Sequence, residues 1–242
     1  MKLAIAQIRS VRGDIAANLE QHQRWGAAAA QLGADIVVFP ELSLTGYEPA
    51  LAKQLAISPH HDCLESLQQL ADSDHISIGV GVPTLHDLGI CISLVWLHPQ
   101  SARQVYHKQF IHQDEEPFFI RGHNSTSLIA TATQVSTAIC YELSVSTHVT
   151  TAIQQGAQIY LASVAKSATG VHQAHLRLQA IAQQYAMPVM MVNCVGACED
   201  FDSAGGSAIW NRQGHCLDQL DSTQEGLLLL DTNTDQVFSK VL

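Results

Sequence analysis

The segment ADIVVFPELSLTGY, residues 34–47, gives the first indication of the fold. It opens with a continuous apolar run of the kind found in strands that are buried on both faces of a parallel sheet. Glu41 follows this run directly after a proline, where the chain leaves the predicted sheet. Because ligands of layered α/β folds bind at strand ends, Glu41 is a candidate site residue. A solvent-exposed turn cap is an equally good interpretation of this residue alone.

On both sides of this segment, strand patterns and helix patterns alternate along the whole chain. Helices are predicted at residues 14–33, 63–72, 144–156 and 172–186. Strands are predicted within residues 2–8, 34–40, 76–85, 89–99, 102–110, 157–165, 188–196, 205–214 and 225–233, with two more inside 125–140. The chain has no linker-like stretch and no repeat of fixed period, so we expect one α/β domain over residues 1–242, with sheets covered by helices.

Composition excludes several classes of partner. The 242 residues are 47% hydrophobic and 14% charged, which suits a large core, and the formal net charge is -10. Nucleic acids and anionic membrane surfaces attract basic proteins, so neither is expected as a main partner. No apolar run reaches the length of a membrane span, and the N-terminal segment lacks the pattern of a signal peptide. We therefore expect a soluble cytoplasmic protein.

The cysteines and histidines do not form a recognisable metal motif. Six cysteines are scattered without a Cys-x-x-Cys pair, and thirteen histidines accompany them. The best local cluster of ligand types is residues 60–63, His-His-Asp-Cys, in a predicted loop before a helix. A solvated helix cap is the more common role for such a cluster, so no metal site is expected. Five of the cysteines are expected to be structural.

Two further strand ends carry reactive groups. Cys140 ends the apolar run VSTAIC and precedes a helix, whose N-terminal amides are expected to lower the pKa of the thiol. Lys108 ends another strand, although a lysine there is by itself more often solvated than catalytic. Together with Glu41 they supply a base, an oxyanion donor and a nucleophile. This set of groups is sufficient for acyl transfer.

At this point the sequence resembles the nitrilase or carbon–nitrogen hydrolase superfamily over nearly its whole length. The resemblance lies in an ordered set of segments: AIAQI, DIVVFPELSLTGY, YHKQF, ICYE, GAQIYLASVA, VNCVG and GGSAIW. It implies a four-layer αββα sandwich with a catalytic triad formed by Glu41, Lys108 and Cys140. It also implies a second glutamate in DEEPFFIRG, where counting back from Phe119 favours Glu115 over the adjacent Glu116.

The resemblance further implies hydrolysis through a thioester, without a metal or organic cofactor, by a homodimer or a larger homo-oligomer. Tyr141, after the cysteine, is similar to amidases and carbamoylases rather than nitrilases, which favours a small-molecule amide as substrate. Substrate contacts are expected at Tyr47, Tyr141, Glu142 and Lys166, the last in a loop after a buried strand. Many amidases of the family have an arginine beyond the tyrosine, and its absence here disfavours acidic substrates.

Three alternative functions are also compatible with the sequence. A nitrile hydrolase and an acyltransferase would use the same fold and thioester chemistry. A non-catalytic relative would use the fold only for binding, although the intact triad argues against it. Ammonia release, measured with hydroxylamine as a trap, separates hydrolysis, transfer and the absence of activity.

Overall fold

The structure, a computed structural model, describes residues 1–123, 128–129 and 133–241. In this part of the chain the helices are α1 (Ile15–Gln31), α2 (Ala52–Leu55), α3 (Glu65–Asp74), α4 (Ser146–Gln154) and α5 (Ala168–Tyr185). The strands are β1 (Lys2–Gln7), β2 (Ile36–Val38), β3 (Ser77–His86), β4 (Gly89–Leu97), β5 (Gln104–His107), β6 (Leu128–Ile129), β7 (Val135–Ile139), β8 (Ile159–Ser163), β9 (Val189–Val192), β10 (Val195–Ala197), β11 (Asp202–Ala204), β12 (Ala208–Trp210), β13 (Cys216–Gln219), β14 (Gly226–Asp231) and β15 (Gln236–Val241).

The strands form two large sheets and one small hairpin. Within the described residues, the first sheet has the order β15-β14-β1-β2-β3-β4-β5 and the second has the order β13-β12-β9-β8-β7-β6. The pairs β1–β2, β2–β3, β7–β8 and β8–β9 are parallel, and the outer strands of both sheets add antiparallel. The parallel strands are short and apolar, as expected for strands covered on both faces.

The two sheets pack face to face, and helices cover their outer faces. The inner core joins apolar side chains of both sheets, among them Ile5, Val38, Leu94, Ile139 and Val192. A second cluster packs helices α1 and α3 on the first sheet, and a third packs α4 and α5 on the second. The four-layer αββα sandwich predicted from the sequence is therefore confirmed.

The predicted elements lie close to the observed ones. Helix α1 ends before Gly33, whose φ of +77° is the left-handed conformation that a glycine C-cap supplies. The segment 188–196 forms two short strands instead of one, because the chain turns at residues 193–194 between β9 and β10. Of the strands predicted within 125–140, β7 and a short β6 are present, and residues 124–127 and 130–132 lie outside the described part.

Residues 60–63 cap a short helix. His61 Nδ1 accepts a hydrogen bond of 3.1 Å from the backbone N–H of Cys63, at the start of the 3-10 helix Asp62–Leu64. All six cysteines carry free thiols. Over the described ranges, no cluster of three or more His, Cys, Asp or Glu side chains is arranged to hold a metal ion. In the same ranges, no helix combines the length and the apolar character that crossing a membrane requires.

Candidate active site

Three strand ends from the two sheets converge on one buried cluster. Glu41 follows β2 and Lys108 follows β5, both in the first sheet, whereas Cys140 follows β7 in the second. The Nζ atom of Lys108 donates a hydrogen bond of 2.7 Å to Glu41 Oε1. Glu41 and Lys108 are buried, with exposed fractions of 2% and 0%. The packing of the two sheets therefore brings together a carboxylate, an ammonium and a thiol that lie far apart in the sequence.

A sharp turn after β2 directs Glu41 into the cluster. Leu42, directly after it, has a φ of +51°, and Gly81 of β3 lies against the turn. A Cβ atom on Gly81 would lie only 2.2 Å from the carbonyl oxygen of Pro40, so a glycine is required for this close approach. Ser163 of the second sheet donates a hydrogen bond of 2.9 Å to the carbonyl of Phe39, which fixes the turn against the opposite sheet.

Glu115 is the second carboxylate at the lysine. Lys108 Nζ lies 2.7 Å from its Oε1 and 2.9 Å from its Oε2. Glu115 also accepts hydrogen bonds from the hydroxyl of Tyr47, at 3.0 Å, and from the backbone N–H of His112, at 2.7 Å. Glu116 is 54% exposed and pairs with Arg121 at 3.6 Å instead. Of the two adjacent glutamates, the structure places Glu115 in the cluster.

Cys140 occupies a strained position between strand and helix. Its φ of +43° is in the left-handed region, which a non-glycine residue adopts only where the surroundings impose it. The chain continues directly into the 3-10 helix Cys140–Ser144, so the side chain projects at the turn, with Sγ 3.8 Å from the carbonyl oxygen of Ala165. Cys140 thus lies at the end of the strand, as predicted, where it packs against the core clusters on both sides of the second sheet.

The pKa of the Cys140 thiol is raised to about 11, which is opposite to the sequence-based prediction. Burial is the main cause, and the nearby Glu41 carboxylate adds to it. Lys166 and Lys108 lower the pKa, but their charges do not outweigh the loss of solvent. The helix after Cys140 is a single short turn, and its amides are too few to reverse this balance. At neutral pH the Cys140 side chain is therefore a thiol, and a nucleophilic attack by its sulfur would require a base.

Glu41 is suited to be that base. Burial raises the pKa of its carboxyl group, and Lys108 opposes the increase. Its Oε2 atom is buried and makes no hydrogen bond within the described residues, while Oε1 is held by Lys108. Burial alone would lower the pKa of Lys108, but the carboxylates of Glu41 and Glu115 raise it, so the lysine stays charged. The cluster holds a proton acceptor beside a thiol and a permanent cation.

The residues expected to contact substrate lie at different depths around this cluster. Tyr47 is partly buried, and its ring packs edge-on against Phe201 with ring centres 5.6 Å apart. Tyr141 is 39% exposed and packs against His112 at the surface. Lys166 is partly exposed, and its backbone is held by Asn193, which accepts from the Lys166 N–H at 2.9 Å. The positions of Tyr47, Tyr141 and Lys166 are compatible with contact to a ligand.

Glu142 does not have such a position, contrary to its predicted role in substrate binding. It is fully buried, and both carboxylate oxygens accept hydrogen bonds from the protein. The single turn after Cys140 directs this side chain inward, toward β5, and away from the surface where Tyr141 is exposed. A carboxylate whose oxygens are used internally has no open face for a substrate, so the expectation from the sequence is corrected here.

A pocket of about 200 Å³ adjoins the cluster on the side of Tyr47. Sequence reasoning missed most of its walls, which are formed by Pro49, His112, Asp114, Phe118, Glu199, Asp200 and Phe201 besides Tyr47. The segment 199–201 follows the strand pair at VNCVG, and Glu199 is fixed there by the backbone N–H of Ala50. The rule that ligands bind at strand ends would have found this loop, because it follows β10.

Solved structures with the same architecture include an amidase. An amidase from Nesterenkonia sp. AN1 superposes with a TM-score of 0.85 at 23% identity, covering 96% of this chain and 92% of that chain. Its cysteine-to-alanine variant in complex with butyramide gives a TM-score of 0.87 at 22% identity, covering 97% and 92% of the two chains. At these identities the likeness establishes the fold.

Relatives by sequence include two kinds of enzyme. A glutamine-dependent NAD(+) synthetase of Synechocystis sp. is 28% identical over 94% of this chain, and an (R)-stereoselective amidase of Pseudomonas sp. is 27% identical over 86%. The chain spans 45% of the length of the synthetase and 76% of the length of the amidase, so it corresponds to less than half of the synthetase.

The protein shares its αββα sandwich with the solved amidase structures. The chain belongs to the carbon–nitrogen hydrolase family, whose family model matches residues 2–238. Membership of this family and the similarity to an amidase support an amide-hydrolysing enzyme.

Proposed function

We propose that the protein hydrolyses the carbon–nitrogen bond of a small, non-peptide amide or carbamoyl compound through a thioester on Cys140. The observation that carries this proposal is the convergence of Glu41, Lys108 and Glu115 beside the thiol, with Lys108 Nζ 2.7 Å from both carboxylates. The similarity to amidases supports an amide as substrate. The proposed active unit is the single domain formed by residues 1–242.

Acylation begins with the thiol. Because its pKa lies well above neutral pH, Cys140 transfers its proton to Glu41 as the sulfur attacks the carbonyl carbon. The oxyanion binds Lys108 and the backbone N–H of Tyr141, which lies in the first turn of a helix where such groups have no partner within the helix. The three N–H groups of Lys108 contact Glu41 Oε1 and both oxygens of Glu115, and the contact with Glu41 weakens once Glu41 is protonated, which allows one N–H to turn toward the oxyanion.

The tetrahedral intermediate then collapses to the thioester. Glu41 gives its proton to the departing ammonia or amine, and the C–N bond breaks. Glu41 next takes a proton from water, the resulting hydroxide attacks the thioester, and the acid leaves as the thiol is restored. Glu115 holds Lys108 in place throughout, since a buried ammonium requires carboxylate partners. Neither a metal nor an organic cofactor takes part in these steps.

Ammonia release from a panel of amides tests the proposal. The panel contains acetamide, propionamide, butyramide and glutamine, with the matching nitriles and an N-carbamoyl amine as comparison substrates. Butyramide is included because the similar amidase was solved with it, and glutamine because similar synthetases depend on it. Mass spectrometry of acid-quenched enzyme is expected to find the acyl group on the peptide that contains Cys140. Hydroxylamine is expected to divert part of the acyl group to a hydroxamate.

The outcomes separate the alternatives. Hydrolysis of nitriles in preference to amides would indicate a nitrilase, and acyl transfer to an added amine in preference to water would indicate a transferase. A Cys140→Ala variant that hydrolyses the best amide at the wild-type rate would overturn the thioester mechanism. Assembly into a homodimer or larger homo-oligomer is part of the same proposal, and sedimentation velocity at micromolar concentration measures it.

A further inference from the structure

Glu142 is a buried carboxylate that the proposed mechanism does not use. Its Oε1 atom accepts a hydrogen bond from the backbone N–H of Gln109, at 2.6 Å, and a longer one from Phe110, at 3.3 Å. Its Oε2 atom accepts one from the backbone N–H of Ile139, at 2.7 Å. The hydroxyl of Tyr106 lies 2.9 Å from both oxygens. One side chain therefore serves four donors.

Two of these backbone donors belong to residues next to Lys108 and Cys140 in the sequence. Gln109 is the residue directly after Lys108, in the first sheet, and Ile139 is the residue directly before Cys140, in the second. The carboxylate of Glu142 thus bridges the backbone beside the lysine and the backbone beside the nucleophile. These hydrogen bonds therefore constrain the separation of Lys108 and Cys140.

A chain of buried, hydrogen-bonded polar side chains connects Glu142 to Tyr160. Tyr160 OH lies 2.9 Å from His148 Nδ1, and His148 Nε2 lies 2.9 Å from Tyr106 OH. His148 is neutral near pH 7, because burial lowers its pKa to about 4, so one ring nitrogen donates and the other accepts. The hydroxyl proton of Tyr106 is directed at the carboxylate. His148 therefore carries its proton on Nε2, and Tyr160 donates to Nδ1.

We propose that Glu142 is a positioning residue that sets the distance between the Lys108 ammonium and the Cys140 thiol, and thereby aligns the oxyanion donor with the nucleophile. The inference rests on the proposed hydrolysis at Cys140. It assigns Glu142 no contact with substrate and no proton transfer. Its ionised form is the required one, since a carboxylate is an acceptor only, whereas a protonated or amidated side chain presents N–H or O–H groups to donors.

The variant that tests the proposal is Glu142→Gln, which keeps the volume but places an amide NH₂ opposite a backbone N–H. We expect kcat for the best amide to fall about 100-fold with KM changed less than about threefold, because a displaced oxyanion donor affects the transition state. Alkylation of Cys140 by iodoacetamide, followed by peptide mass spectrometry, requires the thiolate but no oxyanion donor. We expect its rate to change less than about fivefold.

Two control variants separate positioning from general destabilisation. Leu67→Ala creates a cavity in the core between α3 and the first sheet, so it lowers the unfolding free energy without contact to the cluster. Glu65→Gln removes a 58%-exposed carboxylate paired with Arg103. Both are expected to keep the wild-type kcat per folded molecule. Urea unfolding of all variants gives the folded fraction.

Three results would overturn the proposal. The first is a Glu142→Gln enzyme with wild-type kcat, and the second is a loss of activity matched by an equal loss in the rate of Cys140 alkylation. The third is a crystal structure of Glu142→Gln with an unchanged Lys108–Cys140 separation. The crystal structure tests the positioning role of Glu142 even if the wild-type enzyme hydrolyses no amide. A lack of amide hydrolysis by the wild type would count against the proposed function alone. If Glu142→Gln does not fold, Tyr106→Phe tests the proposal instead, because it removes one hydrogen bond to the Glu142 carboxylate. We expect its kcat to fall about threefold or more, and an unchanged kcat would overturn the proposal.

Discussion

Lys108 Nζ and Glu115 Oε1 lie 2.7 Å apart in the interior of the protein, and neither side chain is exposed by more than 2%. A buried ammonium is unstable without a carboxylate partner, and the contact with Glu41 loses its ionic character whenever Glu41 is protonated. Glu115 therefore holds the charge and the position of Lys108 during the proposed reaction. This division of roles between two carboxylates explains why one of them can serve as a base.

Glu115→Gln is expected to lower kcat about 100-fold, because the lysine loses one of its two anionic partners and its fixed direction. Steady-state ammonia release measures the change. The matched control is Glu116→Gln at the neighbouring position, whose carboxylate is exposed and pairs with Arg121. If the two variants lose activity equally, Glu115 has no special place at the lysine.

Cys140→Ala and Cys140→Ser are expected to lower amide hydrolysis at least about a thousandfold, because neither residue supplies a thiolate nucleophile. The fold should remain, since the side chain is small and its replacement leaves at most a small cavity. Circular dichroism and the thermal midpoint check the fold, and acid-quenched mass spectrometry checks that no acyl adduct forms. An adduct on another residue of Cys140→Ala would contradict the assignment of the nucleophile.

Gly81→Ala is expected to destabilise the protein by about 3 kcal/mol or more, because the new Cβ would meet the backbone of the Glu41 turn at 2.2 Å. Urea unfolding measures the change, and hydrolysis should fall with it. Gly26→Ala, inside helix α1, is the control, since its Cβ would meet the flexible tip of Leu70 at 2.9 Å and make an ordinary contact with Ile78 at 3.8 Å. Equal effects of the two substitutions would show that the Glu41 turn does not depend on Gly81.

Lys166→Met is expected to slow alkylation of Cys140 by iodoacetamide at pH 8 about three- to tenfold. The Lys166 charge lowers the pKa of the thiol, so its removal reduces the thiolate fraction. Lys53→Met, in the short helix α2, is the control for loss of a surface charge. The pH dependence of alkylation should move to higher pH in Lys166→Met alone, and an unmoved profile would place the ammonium away from the sulfur.

Ionisation of Glu142 is expected to raise activity and to lower the free energy of unfolding as the pH increases. Burial raises the pKa of its carboxyl group to about 7, while the N–H groups of Ile139 and Gln109 and the hydroxyl of Tyr106 lower it. Lys108 also lowers it, and Tyr106, His148 and Tyr160 stay neutral near pH 7 because burial raises the tyrosine pKa values and lowers that of the histidine. Glu142 is thus the group of this network that changes charge near neutral pH.

The raised folded-state pKa gives the sign of the stability effect. The contribution of Glu142 to the unfolding free energy is fully present below its ordinary pKa of 4.5 and is lost as the pH rises through about 7, an effect of about 3 kcal/mol. Activity should instead rise over the upper part of this range, because the ionised form positions Lys108. Urea unfolding and kcat measured from pH 5 to 9 test both trends. If Glu142→Gln keeps the wild-type pH dependence in both measurements, another group is responsible.

Much of the fold and of the candidate site is predictable because it depends on local patterns. The apolar run at residues 34–40 indicates a buried strand, and the abrupt change to polar residues after it marks the strand end with Glu41. The same reasoning applies to Lys108 and Cys140. Strand ends of a layered α/β fold meet ligands, so reactive groups at three of them indicate a site before any contact is known.

The sequence by itself determined the alternation of elements and the identity and order of the groups at the strand ends, because these follow from residue type and spacing. The tertiary structure decided what depends on burial and on contacts between the two sheets. It placed Glu115 rather than Glu116 at Lys108, and it directed Glu142 inward. It also gave the Cys140 thiol a raised pKa, since loss of solvent and a nearby carboxylate outweigh a short helix turn.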